Sequence, residues 1–200
     1  MKELPLVLAD GLPERVDIGG ASVPIETDWR VWVLIDELLT DARNSDVESE
    51  SIADSLAFGK LAAIGSKTER AEAIRWFYLC GEPPHTRTEK SRGIAAKVCD
   101  LRQDWGYIYA AFLQLYGIDL INVRELHWWQ FRALLAAITD GCEYGKIIGY
   151  RSCDLGRIKD KELRRDYARL KAVYQLDATG NAQDKTAAAG GLFAPPEKER

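Results

Sequence analysis

The stretch Trp105–Arg151 reads WGYIYAAFLQLYGIDLINVRELHWWQFRALLAAITDGCEYGKIIGYR, and its spacing decides the fold class. Trp105, Ile108, Tyr109, Phe112 and Tyr116 follow i, i+3, i+4, i+7, i+11, the recurrence of one helix face. Gly117 then supplies the conformational freedom on which helices commonly end. A second run, Glu125 to Thr139, carries Leu126, Trp128, Trp129, Phe131, Leu134, Leu135 and Ile138 and leaves little polar face. Such a helix is expected to be enclosed by others. Gly141 closes it, and Tyr144, Ile147, Ile148 and Arg151 mark a third, shorter helix. The pattern predicts three consecutive helices with the middle one central, a packing core rather than a reaction centre.

Working outward, 200 residues with 46% hydrophobic content suit one domain, or one domain and a tail. A formal charge of −4 gives no global pull toward nucleic acid or anionic membrane. Cys80, Cys99, Cys142 and Cys153 are scattered, as reduced thiols in a cytosol would be. The opening MKELPLVLADGLP is too short an apolar run for a signal peptide, and Pro5 interrupts it. The chain reads as soluble and intracellular.

Residues 1–15 read as an extended segment and 16–176 as a helical domain. Val16–Ile18, Gly19-Gly20 and Ala21–Ile25 predict a hairpin, because paired glycines supply the positive φ angles of a tight turn. Thr27 or Asp28 can cap a helix to about Leu39 with Trp32, Ile35 and Leu39 on one face. Between Asp36 and Asp54 lie seven acidic residues and one basic, Arg43. This reads as a solvated loop and helix start, since a calcium loop would require a central glycine that is missing. Ser51 is a candidate cap for a helix containing Ile52, Leu56 and Leu61. Ser66 or Thr68 can cap the next, Glu69 to Cys80, with Ile74, Phe77 and Tyr78 on its face and Trp76 off it. Gly81 to Gly93 reads as a loop, and Ile94, Val98 and Leu101 as a short helix. Leu163, Tyr167, Leu170 and Tyr174 then line one side of an amphipathic last helix. Residues 177–200 are small, polar and rich in Pro and Gly, which predicts disorder. The fold class expected is mainly α, a single helical domain with a small N-terminal β-hairpin and a disordered C-terminal tail.

Candidate chemistry is thin. His85 and His127 are too few for most metal sites, and Cys142 or Cys153 would have to be recruited from other helices. A Cys142–His127 nucleophile pair has no oxyanion-hole glycines and no third group to orient the imidazole. Gly141, Gly145 and Lys146 imitate a phosphate loop but fail it. Three residues separate the glycines instead of four, and Ile147 stands where Ser or Thr would hold magnesium. From Arg151 to Lys171 the net charge is +4, with both signs at helical spacing, the pattern of a salt-bridged, solvated face. No catalytic, cofactor-binding or metal-binding residue is assigned. Trp128-Trp129 is the least ordinary pair, because neighbouring positions differ by about 100° around a helix and two rings cannot share one face. Either both are core, or one is an interface anchor. Candidate partner-contact residues are therefore Trp128, Trp129, Leu163, Tyr167, Leu170 and Tyr174.

The chain resembles the bacteriophage gene-product-fifteen proteins. The resemblance is carried by DWGYIYAAFLQLYGIDL (Asp104–Leu120), LHWWQFRALL (Leu126–Leu135) and IIGYR (Ile147–Arg151). VPIETDWRVW (Val23–Trp32) and RWFYLCG (Arg75–Gly81) add to it. Genes of that family lie in the tail-morphogenesis block of tailed phages and prophages, near the tail-tube and tape-measure genes. The resemblance implies a non-enzymatic tail assembly chaperone in the bacterial host cytoplasm, with the tape-measure protein, the tail-tube protein or a second copy as partner. It implies no cofactor, nucleic acid or membrane. The alternatives are a structural tail or connector component of the virion and a small nucleic-acid-binding or regulatory protein.

Overall fold

The structure, a computed structural model, describes residues 10–40, 47–82 and 98–177. Within these lie a hairpin, β1 (Arg15–Ile18) and β2 (Ala21–Pro24), and seven α-helices. The helices are α1 (Trp29–Thr40), α2 (Val47–Phe58), α3 (Lys67–Tyr78), α4 (Trp105–Tyr116), α5 (Trp128–Ala136), α6 (Glu143–Ser152) and α7 (Lys161–Val173). The fold is mainly α with a small N-terminal hairpin, as the periodicity predicts. The first nine residues, most of the Gly81–Gly93 loop and the tail beyond Asp177, with its expected disorder, lie outside the described residues.

Two compact units emerge, one drawn from Met1–Ile94 and Tyr116–Ile138, the other from Ala95–Leu115 and Thr139–Arg200. The three-helix core expected of Trp105–Arg151 is thereby divided. Helix α5 belongs to the first unit; α6 and all of α4 but its last residue belong to the second. The reason lies at the start of α5, whose side chains are committed to α1 and α3.

In the first unit the hairpin pairs Val16 with Val23 across Gly19 and Gly20, at φ +59° and +84°. It buries Val16, Ile18 and Val23, the inward half of the alternation. Helices α1 and α5 start side by side on an isolated antiparallel bridge between Asp28 and His127. Trp29 N donates to the Leu126 carbonyl at 3.1 Å and Trp128 N to the Thr27 carbonyl at 2.8 Å. Asp28 caps α1 by accepting from Arg30 N at 2.8 Å. Ser66 caps α3 in a reciprocal box with Glu69.

Trp128 and Trp129 are both buried, and their adjacency has a purpose. The two indole N–H groups reach successive carbonyls at the C-terminal end of α3: Trp129 to Phe77 at 2.9 Å, Trp128 to Tyr78 at 3.1 Å. Helix ends leave such carbonyls without the i+4 amide of a continuing helix, and the Phe77 carbonyl also accepts from Cys80 N at 3.0 Å. The rings then continue a stack, with Trp32 4.7 Å from Phe77 and 6.1 Å from Trp128, and Phe131 5.7 Å from Trp128. Trp76, off the main face of α3, tilts against Trp129 at 5.5 Å.

Several local expectations need correction. Ser51 does not start a helix: α2 begins at Val47, and Ser51 is an interior residue whose carbonyl accepts from the Ser55 hydroxyl. His127 is not within its helix but caps it, and α5 is shorter at both ends than Glu125–Thr139. Ile94 lies outside the described residues; residues 98–100 have no regular structure and 101–104 are turn, so the helix expected through Leu101 is not formed there. The Asp100 carboxylate takes the Arg102 and Gln103 amides, which competes with helical bonding. Leu39, assigned to the buried face of α1, is 52% exposed while Trp32 and Ile35 are fully buried.

Helix α4 departs furthest. Trp105, assigned to the core face, is 65% exposed, and the buried row runs Asp104, Ile108, Ala111, Phe112. A carboxylate occupies the position one step before the tryptophan, and the roughly 100° between neighbours turns the ring outward.

Candidate interaction surfaces

The second unit closes around that carboxylate. Asp104 and Arg151 form a two-pronged ion pair at 2.7 and 2.8 Å with both side chains buried. Arg151 also donates to the carbonyls of Tyr174 (2.6 Å) and Val98 (3.0 Å), so all three guanidinium nitrogens are engaged. The Tyr144 hydroxyl lies 3.3 Å from Asp104 and 3.0 Å from the Cys99 sulfur. Burial disfavours the Arg151 charge, but the hydrogen bonds and attraction of Asp104 overcome it and the pKa is raised. Burial, with Cys99 and Asp104 alongside, pushes Tyr144 far above the phenol range, so it remains a hydroxyl. Arg151 is therefore withdrawn from the basic surface counted between Arg151 and Lys171. This cluster ties the Val98–Asp104 turn, α6 and the end of α7 together; no reactive group in it is left free.

Helix α7 is capped by Asp160, which accepts from Leu163 N at 2.9 Å. It has no buried residue. Leu163 is 50% exposed, and Tyr167, Leu170 and Tyr174 are half-buried. Tyr167 and Tyr174 rest on the ring of Tyr150 at 5.7 and 5.9 Å. Of the six candidate contact residues, these four remain accessible; Trp128 and Trp129 are spent inside the first unit.

Of the residues weighed for chemistry, His85 lies outside the described residues, and His127 and Cys142 are otherwise occupied. His127 accepts from Trp129 N through Nδ1 (3.0 Å), so its proton sits on Nε2, 3.1 Å from the Pro13 carbonyl. Burial lowers its pKa, against the opposing pull of the Pro13 carbonyl and the Glu14 charge. The Cys142 sulfur faces the Thr139 carbonyl at 3.8 Å. Burial pushes the Cys80 thiol up to about 11, which leaves little thiolate at neutral pH. Gly145 lies against the Thr139 carbonyl so closely that a Cβ would collide with it, a packing reason for a glycine that imitates a phosphate loop. In the acidic interval Asp54 pairs with Arg70 at 2.8 Å, Glu50 with Lys67, and Asp36 accepts from the Tyr78 hydroxyl. Among the described residues no group of His, Cys, Asp and Glu could hold a metal ion, and no helix is long and apolar enough to cross a membrane.

Two features escaped the sequence reading. A mostly apolar, half-open pocket of about 510 Å³ lies in the first unit, lined by Leu39, Ala53, Ala71, Ile74, Tyr78 and Leu79, with Glu50, Asp54, Lys67 and Arg75 also on its wall. Leu39, exposed on α1, stands on its wall. The other is the outward face of α4, where Trp105, Tyr107, Leu113 and Leu115 are exposed on a helix without a charged residue. The missing charges were legible; the choice of outward face was not.

Residues 8–176 match the family model described as Bacteriophage Gp15 protein. The chain belongs to the bacteriophage Gp15 protein family. No curated protein and no solved structure matches it. The bacteriophage Gp15 family is one of phage structural and morphogenesis proteins and is not known for enzymatic activity.

Proposed function

We propose that this chain is a tail assembly chaperone that binds the phage tape-measure protein in the host cytoplasm and releases it as the tube is built. The observation that carries this reading is α7: Leu163, Tyr167, Leu170 and Tyr174 form one apolar row, yet no residue of the helix is buried. A helix so patterned gains stability from a cover. A long amphipathic helical client offers one, apolar row against apolar row. The charged remainder of α7, net positive with Asp160 and Glu162 at its start, would keep the complex in water.

Co-expression with the tape-measure protein of the same phage tests the proposal. The tape measure should move from the insoluble to the soluble fraction and co-purify with this chain. Equal insolubility with and without it would overturn the proposal. Stoichiometric recovery of this chain in purified particles would assign it to the virion instead.

A further inference from the structure

The half-open pocket of about 510 Å³ in the first unit is built by the end of α1, by α2 and by α3, and α7 has no part in it. Ala53 of α2 and Ala71 of α3 both stand on its wall, and their methyl groups leave open a gap that longer side chains would fill. Leu39, Ile74 and Leu79 extend the apolar lining. Water in such a space finds few partners, so an apolar group that displaces it gains free energy. The volume lies within the roughly 300–1,000 Å³ of sites for small organic ligands, which are mostly apolar with a few placed polar groups.

The polar groups on the wall decide which ligand. Glu50 is held by Lys67, Asp54 pairs with Arg70 at 2.8 Å, and the Tyr78 hydroxyl donates to Asp36. Arg75 is the exception. It is exposed, and its guanidinium has no hydrogen bond or ion pair among the described residues, although Glu72 stands three positions before it on the same helix. The carbonyls that end α3 would repel an anion, but they are already taken. That of Arg75 accepts from Leu79 N at 3.0 Å, that of Trp76 from Gly81 N at 2.9 Å, and those of Phe77 and Tyr78 from the two indoles. An apolar bed with one uncommitted cation on its wall calls for an apolar body bearing one negative charge. A partner protein laid across the pocket would have to desolvate the exposed Glu50–Lys67 pair, whereas a small ligand leaves that pair in water.

We propose that this pocket binds a small apolar carboxylate of the fatty-acid kind. Its hydrocarbon body lies against Leu39, Ile74 and Leu79, and its carboxylate meets Arg75. Occupancy of the pocket is independent of which client α7 serves.

Calorimetric titration of the full chain with decanoate, and with decanol as the uncharged body of the same length, tests both halves of the site. Decanoate should bind at one saturable site, more tightly than decanol. Arg75→Gln should weaken decanoate about fivefold, the share of one exposed ion pair, and leave decanol unchanged. Ala71→Trp, which places an indole in the opening from an exposed position, should abolish both. Circular dichroism checks the fold of each variant, and Arg75→Gln alone keeps the test decisive if Ala71→Trp disturbs it. Absence of saturable decanoate binding below the concentration at which it forms micelles overturns the proposal. So does binding that a folded Ala71→Trp variant leaves intact, or an Arg75→Gln variant that weakens decanoate and decanol alike or neither. If wild type ignores decanoate while Ala71→Trp abolishes recovery of soluble tape-measure protein, the pocket belongs to a partner protein and the proposal fails.

Discussion

The two units solve the same problem with different materials. The first holds five of the six tryptophans and closes on stacked rings, with indole N–H groups finishing the carbonyls of α3. The second holds the sixth, leaves it outside, and closes on Asp104 and Arg151. Ring packing tolerates little loss of volume but makes no demand on charge. A buried ion pair supplies fixed geometry at a large desolvation cost, and it is weak evidence for stability in itself. The contrast predicts different responses to damage.

The largest effects should come from Trp32→Ala and Asp104→Ala, each costing about 3–5 kcal/mol, the first by leaving a cavity, the second by stranding the Arg151 charge. Urea unfolding gives the loss, and hydrogen exchange resolved along the chain should place each in its own unit. Rescue separates the two. Asp104→Leu combined with Arg151→Met should recover most of the stability, because an apolar pair of similar volume replaces a buried ion pair at little cost. Failure of that double variant would mean that the Arg151 contacts to the Val98 and Tyr174 carbonyls matter more than the pair itself.

A smaller effect belongs to His127. Its folded pKa lies below the ordinary value, so the fold favours the neutral ring that accepts from Trp129 N. That contribution is complete above about pH 6.5 and shrinks as the pH falls, because the unfolded chain takes up the proton first. His127→Ala should cost about 1 kcal/mol at pH 7.5, and less at pH 5.5. Glu69, held low by the Ser66 backbone and hydroxyl, loses its contribution only as the pH falls below about its usual 4.5, so the two windows are distinct. Parallel pH profiles for wild type and variant between 7.5 and 5.5 would show that the fold does not favour the neutral ring.

The smallest change in stability is expected from Leu163→Ser, within about 0.5 kcal/mol, since the side chain is half exposed. The same variant should reduce the recovery of soluble tape-measure protein in co-expression. Wild-type recovery would move the client contact away from α7.

Much of the frame was legible because its signals are local. Gly19-Gly20 demands a tight turn, Ser66 was one of two capping residues open for α3, and the rows of α3 and α7 recur with the helical period. The candidate surface was half legible. The row Leu163, Tyr167, Leu170, Tyr174 was visible, and the structure leaves it accessible. Trp128 and Trp129 could not be assigned, because their burial depends on two carbonyls some fifty residues earlier in the chain. Leu101 and Ser51 misled, since a correct period or a good capping residue does not show which local hydrogen bond wins.

By itself, then, the sequence determined the hairpin, the helical class and the uncharged character of α4, all set by steric and periodic rules that act over a few residues. Only the tertiary structure decided that Asp104 rather than Trp105 faces inward, and that the run from Trp105 to Arg151 is shared between two units. A buried carboxylate is tolerable only where a distant arginine meets it, and no spacing along the chain records that Arg151 is the one that does.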